Sequence, residues 1–168
     1  MTRASRTTTL AFIAACAVTS PSRAQEFIGM DHSLMEGSGN WGFNVDLRAG
    51  YRTGFSRILY GWIFQLELVG GYRQLFTKME DLHMGRIGGG LRSGFSIYWL
   101  QFLPFIHCSA ADANGNWGVL VDGGVAVDWR FKWWSLGSHY THGGLHLDTG
   151  WQEFNEVGAH VEFRGFVL

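Results

Sequence analysis

The sequence predicts an all-β protein, an eight-stranded antiparallel up-and-down transmembrane β-barrel. Three observations support this prediction. Apolar and polar residues alternate over long stretches, and a β-strand turns successive side chains to opposite faces. Aromatic residues gather near both ends of these stretches, as they do at the two interfaces of outer-membrane barrels. The 168 residues include 24 glycines, 8 tryptophans and 2 prolines, which fits strands joined by tight turns better than helices.

The first four predicted strands differ in the regularity of their alternation. Segment 26–35 is the least regular, and it is included mainly because bacterial barrels have an even number of strands. Segment 41–52 alternates without exception, with aromatic residues at both ends. Segment 58–74 keeps an aromatic and aliphatic face opposite a polar one. Segment 82–93 is weaker, because glycines separate its few apolar residues.

The last four predicted strands follow the same pattern with one ambiguity. Segments 98–110 and 117–130 each alternate clearly, and segment 154–167 ends the chain with valines opposite charged residues. Segment 131–142 carries large apolar residues in both phases. The sequence therefore leaves open which face of this strand looks towards lipid.

The connections between these strands predict the orientation of the barrel. The links near 54–55, 94–95 and 130–131 are short, and the links 37–40, 75–81, 111–116 and 143–153 are longer and polar. Bacterial barrels have short periplasmic turns and longer outer loops. The longer links are therefore expected outside the cell, and both chain ends in the periplasm.

The polar faces of the predicted strands carry charges of both signs. The residues expected to point inward are Asp46, Arg48, Glu67, Arg73, Arg86, Arg92, Asp122, Asp128, His160, Glu162 and Arg164. Eight strands leave an interior just wide enough for side chains. Buried charges need partners of opposite sign. The sequence therefore predicts a salt-bridged plug rather than an open channel.

The chain divides into a signal peptide, 1–24, and one barrel domain, 25–168. A basic start, an apolar stretch and a small-x-small site ending at Ala24 predict secretion. An alternative reading takes Cys16 as the lipidated residue of a lipoprotein box. After cleavage at 24 only Cys108 remains, so no internal disulfide is expected. The formal net charge of −1 and the absence of a basic block argue against nucleic acid as a partner.

One segment near the C-terminus has the residue types of acyl-transfer chemistry. It reads His139-Tyr140-Thr141-His142-Gly143-Gly144-Leu145-His146 and is followed by Glu153 and Glu156. Residues two apart on a strand share a face, so an imidazole and a hydroxyl are neighbours here. A hydroxyl nucleophile needs an imidazole base and a carboxylate that orients it. A glutamate on the next strand is within reach across the hairpin.

This segment resembles the outer-membrane lipid A 3-O-deacylases, which carry a His-Tyr-Ser-Asn-Ala-Gly-Leu-like segment on the penultimate strand of an eight-stranded barrel. The resemblance implies an ester hydrolase with His139 as base, Thr141 in the nucleophile's place and Glu153 as orienting carboxylate. Glu156 and His142 are alternates. Two residues depart from the family pattern, since Thr141 replaces a serine and His142 replaces an asparagine. No cofactor is implied.

Other functions remain open from the sequence. The chain also fits a non-catalytic structural or adhesion-type barrel, with the loop 143–153 as a partner surface. A water-soluble lipocalin-like barrel or sandwich is a further alternative. His142, His146 and Asp148 offer a metal site if the loop brings them together. The expected partners are outer-membrane lipids, with lipid A as the substrate of an enzyme, and the machinery that inserts barrels. The oligomeric state is left open.

Overall fold

The structure is a computed structural model that describes residues 25–56, 60–78, 81–148 and 150–165. Its strands are β1 (Gln25–Gly37), β2 (Asn40–Ser56), β3 (Tyr60–Phe76), β4 (Leu82–Ile97), β5 (Leu100–Ala113), β6 (Asn116–Arg130), β7 (Trp134–Leu147) and β8 (Gly150–Arg164). Each strand pairs antiparallel with the next, and β1 pairs with β8 to close the barrel. The predicted fold class is confirmed, including its first strand. The predicted signal peptide, 1–24, lies outside the described residues.

The barrel is apolar on its outside and polar on its inside. Along β3, for example, Trp62, Phe64, Leu66 and Leu68 are exposed, whereas Gln65 and Glu67 between them are buried. A water-soluble protein would turn these two faces the other way. The soluble alternative is therefore wrong, because hydrocarbon is the solvent that suits this outer surface. Over the described residues, no helix is long and apolar enough to cross a membrane.

Exposed tryptophans form a belt at each end of the barrel. We call the end that holds Gln25 and Arg164 the near end, and the opposite end the far end. The far belt contains Trp41, Trp117 and Trp151, and the near belt contains Trp62, Trp99, Trp129 and Trp133. In the near belt, Trp99 stacks on Trp129 with 6.5 Å between ring centroids. Aromatic belts of this kind sit at the membrane interfaces of β-barrels.

The connections at the far end are shorter than the sequence predicted. Two residues separate β1 from β2, β5 from β6, and β7 from β8. In the first two of these turns Ser38 has φ 52° and Gly39 77°, and Asn114 has φ 50° and Gly115 84°. Positive φ at both positions is the type I′ turn, whose twist lets the flanking strands continue to the turn itself. The predicted outer loops 111–116 and 143–153 are therefore mostly strand, and that part of the prediction is wrong, whereas the predicted link 37–40 contains the observed turn 38–39.

Side chains fill the lumen in layers. Apolar residues occupy the far end: Met35, Met84, Ala111, Ala113, Leu120, Leu145, Leu147 and Phe154, with Leu75 and Leu82 packed against them. A smaller apolar cluster consists of Ile63, Leu103, Phe105 and Ala126. Most other buried side chains are polar or charged. Leu145 and Leu147, which the sequence assigned to an outer loop, belong to the far-end cluster.

Candidate functional site

The phase of β7 decides where the predicted catalytic residues lie. Leu136 and Tyr140 are exposed on the outer wall, whereas His139 and Thr141 are buried at 7 % and 3 % relative exposure. Both predicted residues therefore point into the lumen, between β6 and β8. The ambiguity left by the two apolar faces of this strand is thus resolved in favour of an inward histidine and threonine.

Glu153 lies on the other side of the barrel wall. It is exposed near the far end of β8, where its backbone pairs with Gly144 of β7. Its neighbour Phe154 points into the lumen, so the side chain of Glu153 faces outward. The structure thus brings His139 and Thr141 to the lumen and leaves Glu153 outside. The catalytic assignment of these three residues stays a prediction.

The two alternate site residues, Glu156 and His142, also lie on opposite sides of the barrel wall. Glu156 is buried and lies directly across the β7–β8 ladder from Thr141. His142 is exposed on the outside, where its Nδ1 is 3.0 Å from Oδ1 of Asn155. The lumen therefore holds an imidazole, a hydroxyl and a carboxylate, but the carboxylate is Glu156 rather than Glu153.

Other residues already engage the carboxylate of Glu156. Its Oε2 accepts hydrogen bonds from Ser33 Oγ at 3.1 Å and from Asn44 Nδ2 at 3.2 Å. Its Oε1 is 2.9 Å from a guanidinium nitrogen of Arg73. No hydrogen bond joins Glu156 to His139 or Thr141 among the described residues. These contacts tie Glu156 to the ion-pair network of the lumen.

Arginine–carboxylate pairs form the centre of this network. Arg48 donates to Asp31 at 2.6 Å and to Glu67 at 2.9 Å, and Arg92 donates to Glu67 at 2.8 Å. Further pairs join Arg86 to Asp46 and Asp122, Arg73 to Asp122, and Arg52 to Glu162. Removing one partner of such a buried pair costs about 3–5 kcal/mol, because the other charge is left uncompensated.

His107 links two acids of the network. Its Nε2 is 2.5 Å from Oε1 of Glu67, and its Nδ1 is 2.8 Å from Oδ1 of Asp122. A carboxylate accepts hydrogen bonds and does not donate them. An imidazolium, which donates from both ring nitrogens, satisfies this geometry. His107 therefore acts as a cationic member of the plug.

The predicted inward residues are all buried in the lumen. They are Asp46, Arg48, Glu67, Arg73, Arg86, Arg92, Asp122, Asp128, His160, Glu162 and Arg164. Asp31 and Arg52 are also buried in the lumen but are not in the predicted set. Both lie on the polar face of their strands. Their alternation with exposed residues was the available signal, since Asp31 follows Met30 and Arg52 follows Tyr51.

The space left beside these side chains is very small. A cavity of about 10 Å³ lies in the middle of the lumen, and His139, Thr141, Glu156 and Asp31 are among its lining residues. A volume of this size holds about one water molecule. An acyl chain or a sugar does not fit beside Thr141 unless the plug rearranges.

A second grouping involves one of the predicted residues. Asp31, His139 and His160 are all buried, and one possible ligand atom from each lies within 4.8 Å of the others. The sequence-based metal hypothesis named His142, His146 and Asp148 instead. Those three residues are exposed, and the structure does not group them within the described part of the chain.

Comparison with known proteins gives a structural likeness but no sequence family. No protein-family model matches the chain, and no curated protein sequence matches it. The barrel is similar to the crystal structure of Neisserial surface protein A, with a TM-score of 0.58 and 14 % identity over 86 % of this chain and 98 % of that one. The chain described here is an outer-membrane β-barrel. An even number of antiparallel strands, a closed wall and an apolar exterior are the outer-membrane architecture.

Two structures of Ail, the attachment invasion locus protein of Yersinia pestis, also match. One is the protein alone and the other its complex with the heparin analogue sucrose octasulfate. Each is 16 % identical over 83 % of this chain and 97 % of that one, but the TM-score of 0.27 is too low to bear on the fold. The closed eight-stranded wall, its apolar exterior and the likeness to Neisserial surface protein A confirm the predicted barrel and its outer-membrane location. The resemblance to lipid A deacylases has no counterpart among these matches.

Proposed function

We propose that the chain is a non-catalytic structural barrel of the outer membrane, which strengthens the bilayer without conducting solutes or hydrolysing lipid. The observation that carries the proposal is the filled lumen. In the described part of the chain, ion pairs and an apolar far-end cluster occupy it and leave a central cavity of about 10 Å³ and one of about 30 Å³ at the far end. A barrel of eight strands has no room for a channel besides such side chains.

The far end carries the links predicted to lie outside the cell, and its short turns favour a structural role over an adhesive one. Adhesive barrels extend loops beyond the membrane, and binding residues are concentrated in loops. Here three of the four far-end connections have only two residues between strands. Leu145 and Leu147, which an adhesive loop would expose, are buried in the far-end cluster.

A lipid A deacylase-like hydrolase is the second candidate. The observation in its favour is that His139, Thr141 and Glu156 share the lumen and line one cavity. Hydrolysis would use Glu156 in place of Glu153, and it would require lipid to enter through the wall. The ion pair between Glu156 and Arg73 and the small cavity weigh against this arrangement.

Lipid A composition separates the two candidates. The chain is expressed in a Gram-negative host, lipid A is extracted, and the masses of its species are measured by mass spectrometry. We expect no loss of an acyl chain, either with the wild type or with Thr141→Ser, which restores the hydroxyl of the deacylase family. In planar bilayers the purified barrel is expected to show no steady conductance. In a host with a weakened outer membrane, expression should lower the uptake of a hydrophobic dye.

Two results would contradict the structural proposal. One is acyl loss that disappears in His139→Ala while His142→Ala, on the outer face of the same strand, retains it. The other is an unchanged dye uptake when the folded barrel is abundant in the outer membrane. Folding is checked in each case by the shift in electrophoretic mobility that intact barrels show on heating.

A further inference from the structure

Three strands bring nitrogen and oxygen ligands together near the middle of the lumen. Asp31 of β1 lies directly across the β1–β8 seam from His160, and His139 of β7 stands beside them, with its ring centroid 5.7 Å from that of His160. All three side chains are buried. This grouping lies at the place where the first and last strands close the barrel.

Two glycines make the room that the imidazole rings occupy. A Cβ added at Gly137 would lie 2.7 Å from Nε2 of His160, and one added at Gly158 would lie 2.7 Å from Cε1 of His139. Heavier residues at these positions would displace the rings. The backbone at both glycines therefore lies close to these rings, and also close to Asp128 at Gly137 and to His32 and Ser33 at Gly158.

One ring nitrogen of each histidine has no hydrogen-bond partner. Nδ1 of His139 and Nδ1 of His160 are both buried and both lack one. A buried polar atom left unpaired costs about 1–3 kcal/mol. With 5.7 Å between the centroids of their rings, the two histidines are spaced to share a group bound between them.

Asp128 fixes the orientation of one of these rings. Its Oδ1 accepts a hydrogen bond from Nε2 of His160 at 2.8 Å. The proton of the neutral ring is then on Nε2, so Nδ1 carries the lone pair and points towards Asp31, with 3.9 Å between Nδ1 and Oδ1. A carboxylate behind a histidine is the usual support of a metal-binding imidazole.

The charges of the lumen are already close to balance. Among the described residues, seven buried carboxylates face six buried arginines and the imidazolium of His107. Asp31 itself is bound by Arg48 at 2.6 and 3.0 Å, and Arg92 is 3.8 Å away. A metal ion would therefore share the carboxylate with Arg48 and take most of its binding from the two imidazoles.

We propose that Asp31, His139 and His160 bind one divalent first-row transition-metal ion, with Zn²⁺ as the reference ion. Two imidazole nitrogens and one carboxylate oxygen are a common zinc ligand set, with ligand distances of about 2.0–2.2 Å. The three side chains close inward from their 4.8 Å spread to reach this geometry. The adjacent cavity of about 10 Å³ has room for one water as the fourth ligand.

The test begins from unfolded protein, because the far-end cluster closes one entrance to the lumen. The full chain is refolded into detergent micelles with Zn²⁺, passed over a chelating column, and its retained zinc is measured by mass spectrometry. We expect one zinc ion per folded chain. Refolding with Co²⁺ should give the visible absorption of a cobalt ion bound to nitrogen and oxygen.

Variants on the same strands identify the ligands. His139→Gln and His160→Gln should lower the affinity for Zn²⁺ more than Asp128→Asn, whose indirect role predicts a loss of about 10–100-fold. His142→Gln, which lies on the outer face of β7, is the matched control and should retain the metal. If a ligand variant fails to refold, the Cu²⁺-loaded wild type still reports the number of bound imidazoles by electron paramagnetic resonance.

The proposal is overturned if the folded wild type retains no zinc, since the two ring nitrogens then share a proton or a water. It is equally overturned if His142→Gln removes the metal, or if both ligand variants retain it. None of these three results bears on the structural role proposed above, which lipid A composition and dye uptake test separately.

Discussion

Arg48 illustrates how this barrel keeps a full charge in its interior. Its side chain has no exposed area, and its guanidinium donates to Asp31 and Glu67. We expect Arg48→Met to lower the free energy of unfolding by about 3–5 kcal/mol, because two carboxylates lose their shared partner in a low-dielectric interior. Urea titration of the barrel in lipid vesicles measures this change.

Arg130 provides the matched control for that experiment. It is an exposed arginine at the near end of β6. Arg130→Met should change the unfolding free energy by less than about 0.5 kcal/mol, as surface substitutions usually do. Equal losses in the two variants would show that the network of ion pairs does not stabilise the barrel.

At the scale of single residues, the sequence predicted which charges point inward but not what each one contacts. Alternation fixes the face of a side chain, so Asp122 and Arg86 could be placed in the lumen. Their pairing depends on the stagger of strands β4 and β6 across the barrel, which periodicity does not contain. The direction of His139 was undetermined for a different reason, since both phases of its segment carry large apolar residues.

At the scale of elements, the tight far-end turns determine where strands end. Gly115 has φ 84° and open space around its missing side chain, so only the backbone conformation opposes a substitution there. Gly115→Ala should destabilise the barrel by about 1–2 kcal/mol, the cost of the left-handed conformation for a residue with a Cβ. Unfolding in urea measures it.

Gly85 separates this backbone effect from a general effect of adding a methyl group. It lies on the outer face of β4, also has open space around it, and has no positive φ. Gly85→Ala should leave stability unchanged or raise it slightly, because glycine is the less favourable residue within a strand. A loss in Gly85→Ala as large as that in Gly115→Ala would contradict the turn argument.

The sequence predicted the eight strands but not their full length. Glycines and short polar runs near 143–153 read as a loop, although β7 and β8 continue through them. The lumen end there is apolar, so Leu145 and Leu147 break the alternation of polar inside and apolar outside. Leu145-His146-Leu147-Asp148 keeps the period of two with its apolar residues inside, so its polarity does not continue the pattern of the preceding strand, and its strand character is missed.

At the scale of the whole molecule, the outer surface is matched to lipid. Leu68 is 72 % exposed near the middle of β3. Leu68→Arg should destabilise the barrel in bilayers by about 2–4 kcal/mol, because a charge at the bilayer midplane loses its hydration. Refolding into lipid vesicles at a series of urea concentrations gives the value.

Asn116→Arg at the far end of β6 is the comparison for this substitution. It is exposed one residue before Trp117 of the far belt, so its charge reaches water. The expected cost there is about 0–1 kcal/mol. If the two arginines cost the same, the middle of the barrel does not lie in the hydrocarbon.

The seam between β1 and β8 has a consequence for biogenesis. Ten consecutive pairs, from Phe27↔Arg164 to Glu36↔Asn155, join the first strand to the last. Until β8 pairs with β1, the backbone amides and carbonyls of β1 have no partner on that side, and lipid cannot supply one. We therefore expect closure of this seam to decide when the barrel can enter hydrocarbon, and a chain that lacks β8 to insert poorly into lipid vesicles.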